Sequence, residues 1–398
     1  MLTVRGSPRS VLVSCSLAHA VNHIYILLLP PLLPFIMWEF GLTYFEVGLL
    51  SASFIFTNAM LQFPMGLMAD RYNRRNMAVL GLVAASIATL LTASSRILTH
   101  LMIFQALAGI GASTYHPVGG SLISEVYPRQ VRGKAMGIHL GIANLGSFMT
   151  PVAVGFLMLT IGWRSCFILF SLPGFVVAAV FWLMVKERRR TASSSTKLNL
   201  NVRRLITNRT LLILSLVFII SSMRYRGVTT FVPLLAVNAY NLEASIAAML
   251  LGFIYLMGSV APLIGGTLSD RFGRRYLAAV LFAVTALVIY LLASAPTVPL
   301  FILGLLLFGF SITASGPILT AFTADTVPRE LWGSAFGFLF TMGMGIGVLI
   351  PPMVGYLTDV AGFYTAFTIL ALISSTGAVL ILKAREAPRS DIKDQEVT

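Results

Sequence analysis

The stretch "GLMADRYNRR" (66–75) returns as "GTLSDRFGRR" (266–275), and this return decides how the whole chain is read. Gly66, Asp70, Arg71, Arg74 and Arg75 recur as Gly266, Asp270, Arg271, Arg274 and Arg275, at an offset of 200. The same offset holds further along. Gly109, Pro117, Pro128, Arg129, Gly133, Gly137, Pro151 and Gly155 match Gly309, Pro317, Pro328, Arg329, Gly333, Gly337, Pro351 and Gly355. One such match is chance, but a constant offset sustained from 66 to 155 is a structural repeat.

The solvent of this repeat follows from composition. Of 398 residues, 57% are hydrophobic and 11% charged, against roughly 25% charged in a soluble domain. So little polar surface cannot cover the chain in water, and a bilayer suits it. The net charge of +14 does not point to nucleic acid, because the basic residues fall in short clusters between apolar blocks. Cys15 and Cys166 lie in apolar segments and read as small packing residues, not as a disulfide or metal pair. Arg5 and Arg9 before an apolar run imitate a signal peptide. That run is long, lacks a clear small-residue cleavage site and is followed by more apolar blocks, so it reads as a retained first span.

A helical span needs about 20 apolar residues. Twelve segments qualify: 11–37, 44–69, 76–94, 99–125, 135–159, 165–185, 211–237, 243–268, 276–294, 298–324, 334–358 and 362–382. The expected fold is all-α, two pseudo-symmetric bundles of six membrane helices. Their ranges are 1–185 and 211–383, with a basic, Ser-rich linker at 186–210 and a tail at 384–398. An even number of spans puts both termini on one side. Of the 28 Lys and Arg, 24 fall on that side, which the positive-inside rule makes cytoplasmic. Repeats of this kind in an apolar chain mark secondary transporters, with a midplane binding site at the interface of the halves.

With these residues in view, the chain resembles the major facilitator superfamily from end to end. The signature G-x-x-x-D-R-x-G-R-R/K is complete in the second copy through Gly273, while Asn73 replaces that glycine in the first. Asparagine tolerates a left-handed backbone, so the turn is expected to persist. The resemblance implies alternating access, gated by clusters around Asp70 and Asp270 in which carboxylates meet arginines and a helix N-terminus. Two departures matter. The antiporter motif of the fifth span is worn to Gly146, Thr150, Pro151, Val154 and Gly155. Gln105, in "QALAGIG", stands where exporters carry an arginine linked to proton coupling. Small residues for close helix packing explain the worn motif as well as an antiporter role does. Within the superfamily, "HAVNHIYILLLPPLLPFI" and "GIGASTYHPVGGSLIS" are similar to the fosmidomycin-resistance-type exporters. That similarity implies proton-coupled efflux of a small anionic or polar compound across the cytoplasmic membrane.

The charged groups agree with an anionic substrate. None of the fourteen carboxylates falls mid-span, whereas "SSMRYRGVTTF" (221–231) places Arg224 and Arg226 there. A charge in hydrocarbon costs at least a few kcal/mol and marks a functional site. Arg224 lies about 20 Å into its helix past Leu211, counted at 1.5 Å per residue. The two arginines are rotated about 200° apart, so only one faces a cavity. Aligning the Pro-Leu-Leu of the first and seventh spans pairs Arg224 with Asn22, which favours Arg224. Tyr225 lies between the arginines and joins the substrate-binding set. His19, Asn22 and His23 share a face of the first span, and His116 lies in the fourth. These residues are expected to bind substrate, with His19, His23 and His116 as proton carriers. His139 reads as a satisfied packing residue. His19 and His23, four apart, could share a metal ion, but no carboxylate or thiolate joins them, so no metal is expected. Pro30, Pro31, Pro34, Pro351 and Pro352 are expected to kink their helices. No nucleophile–base or metal constellation suggests an enzyme, and no cofactor is expected. The expected partners are a small anionic molecule, protons and lipid, with the chain acting as a monomer. An organic-anion importer or exchanger of the same fold remains open, as does a receptor or scaffold that binds without transport.

Overall fold

Backbone N–H and C=O groups in hydrocarbon must be satisfied within their own segment, so apolar spans become helices. The computed structural model describes residues 4–5, 7–187, 207–328 and 331–386. Most of the linker, Arg329 and the tail from 387 lie outside the described residues. The first half runs through α1 (Pro8–Leu27), α2 (Leu29–Phe40), α3 (Tyr44–Arg71), α4 (Arg74–Thr92), α5 (Leu98–Ala112), α6 (Tyr115–Val126), α7 (Arg129–Met158) and α8 (Gly162–Met184). The second runs through α9 (Arg209–Tyr240), α10 (Ala244–Met257), α11 (Ala261–Phe272), α12 (Arg274–Ser294), α13 (Val298–Thr326), α14 (Trp332–Gly347) and α15 (Ile350–Ile381). A two-residue antiparallel pair, β1 (Val4–Arg5) with β2 (Lys186–Glu187), ties the start of the chain to the end of α8.

Among the described residues, ten stretches are long and apolar enough to cross a membrane, which is consistent with twelve spans once two local features are counted. The span over 98–126 is divided into α5 and α6, of 15 and 12 residues. Conversely, Ala335–Ile381 holds two spans, which turn at Gly362 with φ 77°. The breaks inside single spans, unlike the turn at Gly362, lie beside prolines. Proline lacks the N–H that would bond four residues back. Pro30 and Pro31 follow the break at Leu28, Pro117 that at Ser113–Thr114, Pro262 that at Gly258–Val260, and Pro351 and Pro352 that at Val348–Leu349. The outer faces are apolar: Leu80, Leu183 and Leu263 are 68%, 71% and 75% exposed. Such side chains in number belong against lipid, and the fold is that of a multi-pass, all-α membrane protein.

The chain forms two compact units, residues 1–196 with 230–255, and residues 197–229 with 256–398. In the first, α1 packs on α7, α3 on α5 and α4 on α8; in the second, α12 packs on α13 and α15. The helices of the first unit approach closely through glycine. At Gly109, an added Cβ would lie 2.4 Å from the Phe54 carbonyl oxygen and 2.2 Å from Thr57 Oγ1. Thr57 Oγ1 donates to the Ala106 carbonyl at 2.7 Å in the same contact. Gly109→Ala is therefore expected to push α5 off α3 and destabilise the protein by about 1–3 kcal/mol. Gly120→Ala, where a Cβ meets nothing within 4 Å, is the control. Thermal denaturation of the two purified variants checks this, and equal melting would refute the close approach.

The repeat holds in three dimensions. Arg74 pairs with Glu125, and 200 residues on Arg274 Nη1 pairs with Asp325 at 2.9 Å. The turns before these arginines differ from expectation. Asn73 has φ −69°, not a left-handed backbone, and its side chain accepts from the Asn76 N–H as the N-cap of α4. Gly273 does take a positive φ, 92°. It cannot cap with a side chain, and Glu386 accepts from the Arg274 and Arg275 N–H groups instead, at 2.8 and 3.2 Å. Asparagine keeps the function of the turn by capping rather than by left-handedness.

Candidate functional site

Two buried polar junctions arise at corresponding places in the repeat. The first begins with the break before Pro117. The interrupted ladder leaves carbonyls that need donors. Thr114 Oγ1 donates to the Gly111 carbonyl at 2.9 Å, and Asn22 Nδ2 on α1 donates to the Ala112 carbonyl at 2.8 Å. Tyr115, in the first turn of α6, donates its hydroxyl proton to the Cys15 carbonyl of α1. These bonds fix α1 against the break, and they aim His19, His23 and His116 at one another.

The result is a cluster of four histidines from three helices. His19 meets His23 edge-on at 4.7 Å between ring centroids and His116 at 5.2 Å. It stacks on His139 of α7 at 4.4 Å and on Tyr115 at 5.1 Å. His19, Asn22 and His139 are buried, His23 is half-buried and His116 is exposed. His23 Nδ1 is 2.6 Å from Ser147 Oγ of α7. Among the described residues, neither ring nitrogen of His19 has a hydrogen-bond partner, and neither does His139 Nδ1. His139, read from the sequence as a packing residue, belongs to this cluster, and Ser147 was not singled out at all. Nothing in a single sequence shows which turn of α7 faces α1.

The second junction holds Arg224. Its side chain is fully buried, the guanidinium carbon lies 3.5 Å from the Phe282 ring centroid of α12, and Nη2 donates to Ser315 Oγ of α13 at 3.0 Å. Ser315 is the repeat counterpart of Tyr115. Nε and Nη1 have no hydrogen-bond partner among the described residues. Among the described residues, no carboxylate pairs with it. A cation–π contact is worth about 2 kcal/mol when desolvated, well short of compensating a buried charge. Tyr225 and Arg226 are half-buried. Arg226 turns toward α14, where a Cβ on Gly347 would meet its Cδ at 3.2 Å. The two arginines thus diverge as their helical spacing requires, but Arg224, the one expected to face a cavity, is enclosed against Phe282 and Ser315, and Arg226 is the more exposed.

The residues of the repeated signature lie at the ends of these helices. Arg74 is buried and pairs with the half-buried Glu125, and Arg75 stacks on Trp182 at 3.7 Å and donates to its carbonyl at 2.5 Å. Asp270 lies 3.8 Å from Arg274, farther than Asp325. Asp70 is in the last turn of α3, and its side chain lies outside the described residues. Gly66 sits beside Pro117, at 3.9 Å for an added Cβ, while Gly266 is open; Arg71 and Arg271 are exposed at the ends of α3 and α11. The partners Glu125, Asp325 and Glu386 were missed by sequence reasoning, although the offset of 200 relates the first two. The worn motif of α7 serves packing: a Cβ on Gly146 would lie 3.0 Å from the Ala20 carbonyl, and one on Gly155 2.5 Å from that of Ser245. Gln105, in place of an arginine, is buried and donates to Thr92 Oγ1 at 3.2 Å.

A repeated bundle of apolar helices with buried ionisable groups is the architecture of a membrane transporter, and comparison with known proteins agrees. The model of the Major Facilitator Superfamily matches residues 15–347 and 244–397, and the chain belongs to that family of non-enzymatic transporters of small organic substrates. It is 26% identical over 365 residues to a probable 4-methylmuconolactone transporter of Cupriavidus pinatubonensis, covering 87% of this chain and 83% of the relative. It is 22% identical over 379 residues to the fosmidomycin resistance protein of Escherichia coli, covering 93% and 92%. A crystal structure of a bacterial homologue of the human lysosomal transporter Spinster superposes with a TM-score of 0.83 at 19% identity, covering 95% of this chain and 98% of that one.

Proposed function

We propose that the protein exports a small anionic organic compound across the cytoplasmic membrane in exchange for protons. The observation that carries this reading is Arg224, a buried guanidinium with two donor groups unengaged and no carboxylate among the described residues to neutralise it. An anion completes such a group, whereas a cation is repelled by it. Arg224, with Arg226 and Tyr225, supplies the positive charge for the substrate. His19, Asn22, His23 and His116 supply hydrogen bonds, and the three histidines carry the coupled proton. The halves 1–185 and 211–383, joined by 186–210 and followed by the tail 384–398, alternate access between the two sides. Ion-pair clusters around Asp70, Arg71, Arg74 and Arg75, and around Asp270, Arg271, Arg274 and Arg275, hold one state and release in the other. Both termini are cytoplasmic, and the chain works as a monomer. The relative's resistance to fosmidomycin supports export and names the first compound to try.

The test is flux in proteoliposomes. Fosmidomycin, a panel of organic carboxylates and a panel of cationic dyes are each offered with and without a pH gradient. Anion movement that accelerates with the gradient is the expected result. Movement of the dyes alone would overturn the charge argument, and binding without movement would make the protein a receptor.

A further inference from the structure

The histidine cluster has a property that hydrogen bonding leaves unexplained. His19 is 5% exposed, yet neither of its ring nitrogens has a partner. A neutral imidazole carries one donor and one acceptor, and leaving a buried donor or acceptor unsatisfied is costly. The rings nearest to it are the imidazoles of His23, His116 and His139 and the phenol of Tyr115, and among the described residues none of them hydrogen-bonds to it. One ligand nitrogen from each of His19, His23 and His116 can be chosen so that all three lie within 4.8 Å of one another.

We propose that His19, His23 and His116 bind one divalent transition-metal ion of the zinc class. Imidazole nitrogens bind such an ion at about 2.0–2.1 Å, so the three rings need only modest side-chain rotation to converge. Three neutral imidazoles with a free fourth position suit zinc, copper, nickel or cobalt and disfavour magnesium or calcium, which prefer oxygen. The surrounding groups match what such a site requires. Ser147 engages His23 Nδ1 at 2.6 Å, which fixes that ring and leaves Nε2 for the ion. His139 stacks on His19 and holds its plane. His116 is exposed and gives the ion a way in. The ion also gives the orphaned His19 a partner. With no carboxylate in the ligand set, the bound ion keeps its full charge, and water or an anion takes the fourth position. Ion and proton are alternative occupants of these nitrogens. The inference concerns ion binding by the purified protein and stands whether or not the transport reading holds.

Cobalt(II) titrated into the tag-free, full-length protein in detergent provides the test, because a four-coordinate cobalt site absorbs visibly. One equivalent per chain is expected, displaced by added zinc. His19→Gln and His116→Gln should each weaken binding at least about tenfold, the loss that even an outer partner of a metal ligand causes. His100→Gln, outside the cluster, should bind as the unsubstituted protein does. Melting curves without metal verify that each variant is folded, and the exposed His116 keeps the test alive if His19→Gln does not fold. No absorption in the unsubstituted protein, or undiminished binding in the His116 variant, would overturn the proposal.

Discussion

Arg224→Met is expected to remove most anion flux while leaving the protein at least as stable as before. Methionine is unbranched and adaptable, and it fills the space beside Phe282 without a charge. Replacing a poorly compensated buried ion with an apolar side chain is neutral or stabilising, by as much as about 1–4 kcal/mol. Arg224 is poorly compensated: Ser315 accepts one bond, the Phe282 ring lies over the guanidinium, and Nε and Nη1 have no partner. The substrate would lose charge-assisted hydrogen bonds worth about 2–5 kcal/mol, at least about a thirtyfold fall in affinity. Arg224→Lys should fall between the two, because lysine keeps the charge but lacks the planar fork. Flux and melting temperature are measured on the same preparations. A variant that melts much lower would show that the guanidinium holds α9, α12 and α13 together, and undiminished flux would refute its role in binding.

Arg74→Ala is expected to cost about 3–5 kcal/mol, the penalty of leaving a buried charge without its partner. Arg74 is 5% exposed at its side chain and Glu125 21%, so water replaces little of what is lost. The twin in the second unit is more exposed at the arginine, 18%, so Arg274→Ala should cost less. Removing both members, as Arg74→Met with Glu125→Met, should recover most of the stability. That double variant separates two roles. If the pair only holds α4 to α6, flux returns with stability. If the pair also favours one access state, as proposed, flux stays altered in a protein that melts normally. Denaturation curves and proteoliposome flux of the single and double variants form the measurement.

The sequence by itself determined the bilayer as solvent, the helical class, the duplicated plan and the presence of arginines where carboxylates are absent. Each of these depends on composition, on local chain chemistry or on comparison of the chain with itself. The breaks before Pro30 and Pro351 were legible for the same reason, because a missing N–H acts within one turn, whereas those before Pro117 and Pro262 were not read from the sequence and Pro34 lies inside α2. Capping at Asn73 was misread, since asparagine satisfies a turn in two ways and only the backbone angles choose between them. Tertiary structure alone decided which faces meet. It brought His139 and Ser147 to His19 and His23, set Phe282 over Arg224, and gave Arg74 and Arg274 their carboxylates. In a soluble helix the apolar stripe reports the inward face. A membrane helix is apolar all round, so its rotation about its own axis leaves no periodic trace, and a polar side chain's partners emerge only when the helices pack.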